Sequence, residues 1–441
     1  MSSYWAPHGW LPGGVAEQVR LVADGGRWAW VEAGVPPAGQ DVRLPGLVMP
    51  GVANTHSHAF HRALRGRTHG DGGTFWTWRD RMYALARRLE PQAYYLLARA
   101  VYAEMALAGI SAVGEFHYLH HQPDGSRYPD PNAFGHALLR AAAEAGIRIT
   151  LLDACYLSGG LGAAGHLQLD EVQRRFGDGS AAGWRQRLAS LVQAEADTVR
   201  IGAAIHSVRA VPAGELDPIV AASAGRPLHA HVSEQPAENQ ATQGYYGCSP
   251  TELLAAHGFG GPLHTAVHAT HLSDADIARY GRTGTNVSFC PTTERDLADG
   301  IGPAPELAAA GAPITLGSDQ NASVDLLEEA RALELDARLA SLQRGRFSPA
   351  ALVEALTRAG HASLGWPDAG QLAVGQRADL VALRLDTVRT AGALPDQLVL
   401  VAGAADVDTV LVDGRMVVSG GRHVLGDVAG LMAEAIAPLW A

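Results

Sequence analysis

Leu47-Val48-Met49-Pro50-Gly51-Val52-Ala53-Asn54-Thr55-His56-Ser57-His58 decides how this chain is read. An apolar run ending in polar residues has the texture of a buried strand whose C-terminal end opens on a site. Side chains two apart on a strand point the same way, so His56 and His58 can reach one ion together. His-x-His alone is a weak signal. Three later motifs strengthen it: His231-Val232-Ser233-Glu234, Val267-His268-Ala269-Thr270-His271 and Leu316-Gly317-Ser318-Asp319.

Further short strand-like runs follow at Ser111–Glu115, Ile147–Leu152, Thr198–Ile205, Leu228–Val232, Thr265–His268, Thr285–Phe289 and Pro313–Gly317. Between them lie Ala- and Leu-rich stretches of helical length, such as 91–109, 132–146 and 184–196. With a strand predicted over 47–53, eightfold strand-helix alternation predicts an α/β fold built on a (β/α)8 TIM-type barrel. His56, His58, Glu115, His206, His231, His268 and Asp319 all fall at or just past strand ends. That is the rim where such barrels keep their chemistry.

Both ends of the chain have a different texture. Residues 19–50 contain short alternations such as Val19-Arg20-Leu21-Val22, and strand-like runs return at Ala378–Leu383 and Asp408–Gly414. These predict a small β-sandwich domain assembled from residues 1–50 and 366–441, with the barrel at 51–365 and a final helix from Val428 to Trp440. No short repeat or low-complexity tract interrupts the chain.

Over 441 residues, 34 Lys and Arg face 45 Asp and Glu, a formal charge of −11 without a long basic run. Nucleic acid is therefore not an expected partner. Cys155, Cys248 and Cys290 form no CxxC pair, which points to free thiols in a reducing compartment. Neither a signal-peptide pattern nor an apolar stretch of about 18 residues is present, so a cytoplasmic protein without a membrane span is expected.

His56, His58, His231 and Asp319 form an all-nitrogen-and-oxygen set suited to zinc, with a place left for water. A bound ion lowers the pKa of that water towards about 7. Asp319 can accept its proton, and His268, two strands earlier, can share or orient it. Glu234 lies past its strand end, where it can protonate a leaving nitrogen. Such a constellation suits hydrolytic deamination at an amidine-like carbon. His117, His120 and His121 are read as loop residues without a metal role, and His271 as structural. The aromatic stretch Phe75-Trp76-Thr77-Trp78 leaves two readings open, a substrate wall or a lid on the rim.

On these motifs the chain resembles the amidohydrolase superfamily and, more narrowly, its N-formimino-L-glutamate deiminases. The narrower marks are Asn54–Phe60, Phe75–Arg79, Glu115–His121, His206–Val211, His231–Gln235 and Val267–Leu272. The resemblance implies one zinc ion, with ferrous iron as the alternative, and hydrolysis of N-formimino-L-glutamate to N-formyl-L-glutamate and ammonia in histidine degradation. It also implies a homodimer. Arg209 then becomes a bidentate clamp for one substrate carboxylate, and Arg79 a candidate for the other. Tyr118 and His206 join the substrate pocket. His61 stands where the family carries a glutamine that contacts substrate, and it can still donate a hydrogen bond. The rival readings are a related deaminase acting on another amidine, a guanidine or a nucleobase, and a non-catalytic barrel with structural zinc or none.

Overall fold

The computed structural model describes residues 1–69 and 75–441, with the side chains of Phe75 and Trp76 outside that description. Eight parallel strands run in chain order around a barrel: β1 (Val52–Ser57), β2 (Ile110–His117), β3 (Arg148–Cys155), β4 (Val199–Ile205), β5 (Leu228–Val232), β6 (His264–His268), β7 (Asn286–Phe289) and β8 (Ile314–Leu316). Every residue of β1, β2 and β3 is buried, because parallel strands here have the barrel interior on one face and helices on the other. Closure occurs past the end of β8. His58 N donates to Asp319 O at 2.9 Å and Asp319 N to His56 O at 2.9 Å, across a parallel bridge between Ser57 and Asp319. The seam of the barrel thus coincides with three candidate metal ligands, His56, His58 and Asp319.

The strand predicted over 47–53 is divided. Leu47–Pro50 pairs antiparallel with Leu380–Leu383, whereas Val52 begins β1. Gly51 permits the switch, since a Cβ there would lie 2.5 Å from Ser111 Oγ and 2.9 Å from Asp379 Cβ. Leu47–Pro50 belongs to a nine-stranded mixed sheet drawn from both ends of the chain. That sheet curls on itself: Trp28 N donates to Gln376 O at 2.9 Å and Ala378 N to Gly26 O at 2.9 Å. Tyr4, Val19, Leu21, Trp28, Leu380 and Leu411 form a separate core inside the curl. The predicted C-terminal helix spans Val428–Trp440.

Helix Pro91–Leu107 packs its Tyr94, Leu97, Val101 and Met105 inward. Its Glu104 accepts from Arg62 Nε at 2.8 Å and Arg65 Nη1 at 2.9 Å, fixing the short 3-10 helix Ala59–Leu64 that carries His61. Buried Arg175 donates to the carbonyls of His121 at 3.0 Å, Leu89 at 2.8 Å and Ala86, tying helix Phe75–Arg88 to the loop after β2. Both devices position segments of the rim. Among the described residues, no helix is long and apolar enough to cross a membrane.

Candidate active site and metal centre

β1, β5 and the turn after β8 bring His56, His58, His231 and Asp319 together in the floor of the rim, all four buried. His231 Nε2 lies 3.1 Å from His56 Nε2 and 3.4 Å from His58 Nε2. Asp319 Oδ1 lies 3.3 Å from His56 Nε2 and 3.4 Å from His58 Nε2. Corners of a tetrahedron with 2.0–2.1 Å metal bonds stand about 3.3–3.4 Å apart, so the spacing fits a small divalent ion.

The outer hydrogen bonds select the right tautomers. His58 Nδ1 donates to Phe116 O at 2.8 Å and His231 Nδ1 to His206 O at 2.8 Å. Burial holds both imidazoles well below their ordinary range, so both are neutral and direct an Nε2 lone pair inward. Burial disfavours charge on Asp319 too, but the hydrogen bond to His56 and the nearby charge of His268 outweigh it and hold the carboxyl well below the usual carboxylate range.

Ser233, His268, Ala269, Asp319 and Asn321 have positive φ angles of 52°, 68°, 49°, 44° and 57°. Side-chain-bearing residues rarely adopt that backbone, and here it is concentrated at the ends of β5, β6 and β8, where it aims functional groups. The kink at Ser233 turns Glu234 to place its Oε1 3.9 Å from His268 Nε2, which is also 3.9 Å from Asp319 Oδ2. His268 Nδ1 donates to Glu294 at 3.3 Å. Although burial works against its charge, Glu234, Glu294 and Asp319 push the His268 imidazole up to about 10. His271 braces the same turn, its N donating to Ser233 O at 3.1 Å and its Nε2 to Asp299 O at 2.8 Å.

Above this floor is a cavity with His61, Trp78, Arg79, Tyr118, His206 and Arg209 in its walls beside Glu234 and His268. His61 Nε2 and Tyr118 Oη are 2.8 Å apart. Burial pushes His61 down to about 3, so it is a neutral group. Arg209 Nη2 donates to Glu234 Oε2 at 3.2 Å.

The model of the amidohydrolase family matches residues 47–417, a span that holds all of these side chains. The chain belongs to the amidohydrolase family. This amidohydrolase is 37% identical to formimidoylglutamate deiminase of Pseudomonas aeruginosa, over 96% of each chain. It is 30% identical to 8-oxoguanine deaminase of the same organism, over 88% of this chain and 86% of the relative. A crystal structure of an amidohydrolase from Brucella melitensis superposes with a TM-score of 0.93 at 33% identity, covering 100% of both chains.

A second group in this amidohydrolase, His117, His120 and Asp153, also gathers three ligand atoms. Its carboxylate is already engaged: Asp153 Oδ2 accepts from Arg187 Nη1 at 2.6 Å and Oδ1 from Trp184 Nε1 at 2.9 Å. A guanidinium at that place repels a cation. Sequence reasoning passed over Glu294 and Glu238. Glu294 follows the end of β7 by five residues, a placement that the rim argument could have caught. Glu238 sits in the first turn of helix Pro236–Tyr246, four residues after Glu234, and only the folded rim brings it to Arg209. Trp78 lines the cavity, which favours the wall reading for that part of the aromatic stretch. Phe75 and Trp76 lie outside the described side chains.

Proposed function

We propose that this amidohydrolase is a zinc-dependent formimidoylglutamate deiminase, hydrolysing N-formimino-L-glutamate to N-formyl-L-glutamate and ammonia. One observation carries the reading: a single cavity joins the metal-capable cluster, Glu234 and His268 to two guanidinium groups, Arg79 and Arg209. A dianionic amidine needs that combination, and a neutral nucleobase does not.

In this reading His56, His58, His231 and Asp319 hold one zinc ion, which when bound supplies a Lewis acid and an activated water. Asp319 takes the water proton, and His268, anchored by Glu294, stands ready to share it. Glu234 delivers a proton to the imino nitrogen. The C–N bond breaks, nitrogen leaves as ammonia, and the water oxygen remains on the formyl carbon. Arg209 binds one carboxylate bidentately and Arg79 the other, while His61, Tyr118 and His206 orient the chain between them.

The same reading divides the protein into a barrel of residues 51–365 and one β-unit of residues 1–50 and 366–441, and makes it a cytoplasmic homodimer. Three free cysteines, two of them buried, support a reducing compartment. The deciding experiment measures ammonia release from N-formimino-L-glutamate beside N-formiminoglycine, guanidino acids, cytosine, guanine and adenine. Selective turnover of the first is expected. Turnover of a nucleobase instead would move the substrate to the related-deaminase alternative.

A further inference from the structure

Arg209 is flanked by two carboxylates of its own chain. Its Nη2 reaches Glu234 Oε2 at 3.2 Å, and its Nε lies 3.4 Å from Glu238 Oε2. A substrate carboxylate would be the third anion around one guanidinium, so it competes with the two already there for the same N–H groups. The two are not equally free to move. Glu238 is 1% exposed, lies on a helix, and has no well-aligned hydrogen bond at either oxygen among the described residues. Taking it from Arg209 would remove the counter-charge beside a buried carboxylate, which is costly. Glu234 instead lines the cavity from the turn after β5, and it accepts one hydrogen bond from Arg209 where a substrate carboxylate would accept two.

We propose that Arg209 is a substrate-operated latch on Glu234, with Glu238 as the positioning residue that anchors the guanidinium while the latch opens. Before substrate arrives, Glu234 is drawn towards Arg209 and stands 3.9 Å from His268, beyond hydrogen-bond range. An arriving carboxylate takes the Nη edge of Arg209, and Glu234 is released towards His268 and the reacting carbon. Recognition of a group remote from the chemistry thereby raises kcat as well as affinity. Amidines without a carboxylate leave Glu234 latched.

This inference rests on Arg209 as the carboxylate site of the proposed deiminase, and its test separates the two. Crystal structures of the zinc-loaded protein, free and with N-formyl-L-glutamate, should show the Arg209–Glu234 hydrogen bond broken in the complex and the Arg209–Glu238 contact kept. Wild-type protein should turn over N-butylformamidine with kcat at least about tenfold below that for N-formimino-L-glutamate. Arg209→Met should raise kcat for N-butylformamidine while lowering kcat/KM for the dianion. Glu238→Gln is isosteric, and it removes a competitor for the guanidinium. It should tighten the latch, lowering kcat about tenfold with KM unchanged or reduced, and Glu238→Asp should recover part of that loss.

A Glu238→Gln variant with raised KM and intact kcat has lost only a structural support, and that result overturns the proposal. An unbroken Arg209–Glu234 bond in the complex overturns it as well. Wild-type protein that releases no ammonia from N-formimino-L-glutamate overturns the substrate reading instead. The crystal pair then decides the latch, an opened contact supporting it and a closed one refuting it.

Discussion

His58 Nε2 and His231 Nε2 face each other at 3.4 Å although neither has a proton to offer, because each ring has already given its Nδ1 proton to a main-chain carbonyl. Two lone pairs and the Asp319 carboxylate converge on one point, an arrangement that a cation relieves. Zinc-loaded protein dialysed against a chelator should therefore lose turnover and melt at lower temperature, both restored by zinc, since a ligand held only by the native state stabilises it. His231→Ala should bind no stoichiometric zinc by elemental analysis. A fully metallated variant would remove His231 from the ligand set.

Glu234 stands outside the cluster, beside Arg209 and His268. Glu234→Gln should keep its zinc and lose kcat by about 10²–10⁴, the usual worth of a general acid. Zinc content and steady-state kinetics on one preparation check both halves. Loss of metal would show Glu234 to be a ligand.

Arg148 at the start of β3 joins the barrel to the mixed sheet. It is 0% exposed and donates to Asp379 Oδ1 at 2.9 Å, to Asp379 Oδ2 and to Asp413 Oδ1 at 3.1 Å. Removing one partner of a buried pair leaves the other charge uncompensated, which costs about 3–5 kcal/mol. Arg148→Met should lower stability by that order in denaturant unfolding, while the folded fraction keeps its KM, because the pair lies at the opposite end of β3 from the site.

His361 sets a pH limit. Burial lowers its pKa to about 4, and its Nε2 donates to Gly51 O at 3.0 Å where the chain passes from sheet to barrel. The unfolded chain takes up this proton below about pH 6.5, while the folded protein refuses it until about pH 4. Stability is therefore lost as pH falls through that window, by about 1.4 kcal/mol per pH step for this one proton. His361→Gln should melt with a shallower acid limb than wild type between pH 6.5 and 4, and superimposable limbs would refute the assignment.

Much of the rim was legible in the sequence because strand ends and ligand types coincide there: His56 and His58 close β1, His231 lies within β5, His268 ends β6 and Asp319 follows β8. Arg79 was harder to place. On a helix surface a guanidinium is ordinary, and only the packing of helix Phe75–Arg88 over the rim makes it a cavity wall. Glu294 and Glu238 went unread since neither belongs to a motif, and their meaning comes from His268 and Arg209 across 26 and 29 residues of chain.

By itself the sequence determined the barrel and the family and marked the His and Asp side chains that the rim gathers, since periodicity and strand-end spacing are local properties carried by neighbouring residues. Only the tertiary structure decided that Gly51 splits a predicted strand between two sheets, that the His117 cluster surrenders its carboxylate to Arg187, and that Arg209 is shared between Glu234 and Glu238. Those outcomes depend on which buried charge finds which partner. Such choices are made through space at 3–4 Å, between residues whose separation along the chain carries no record of the contact.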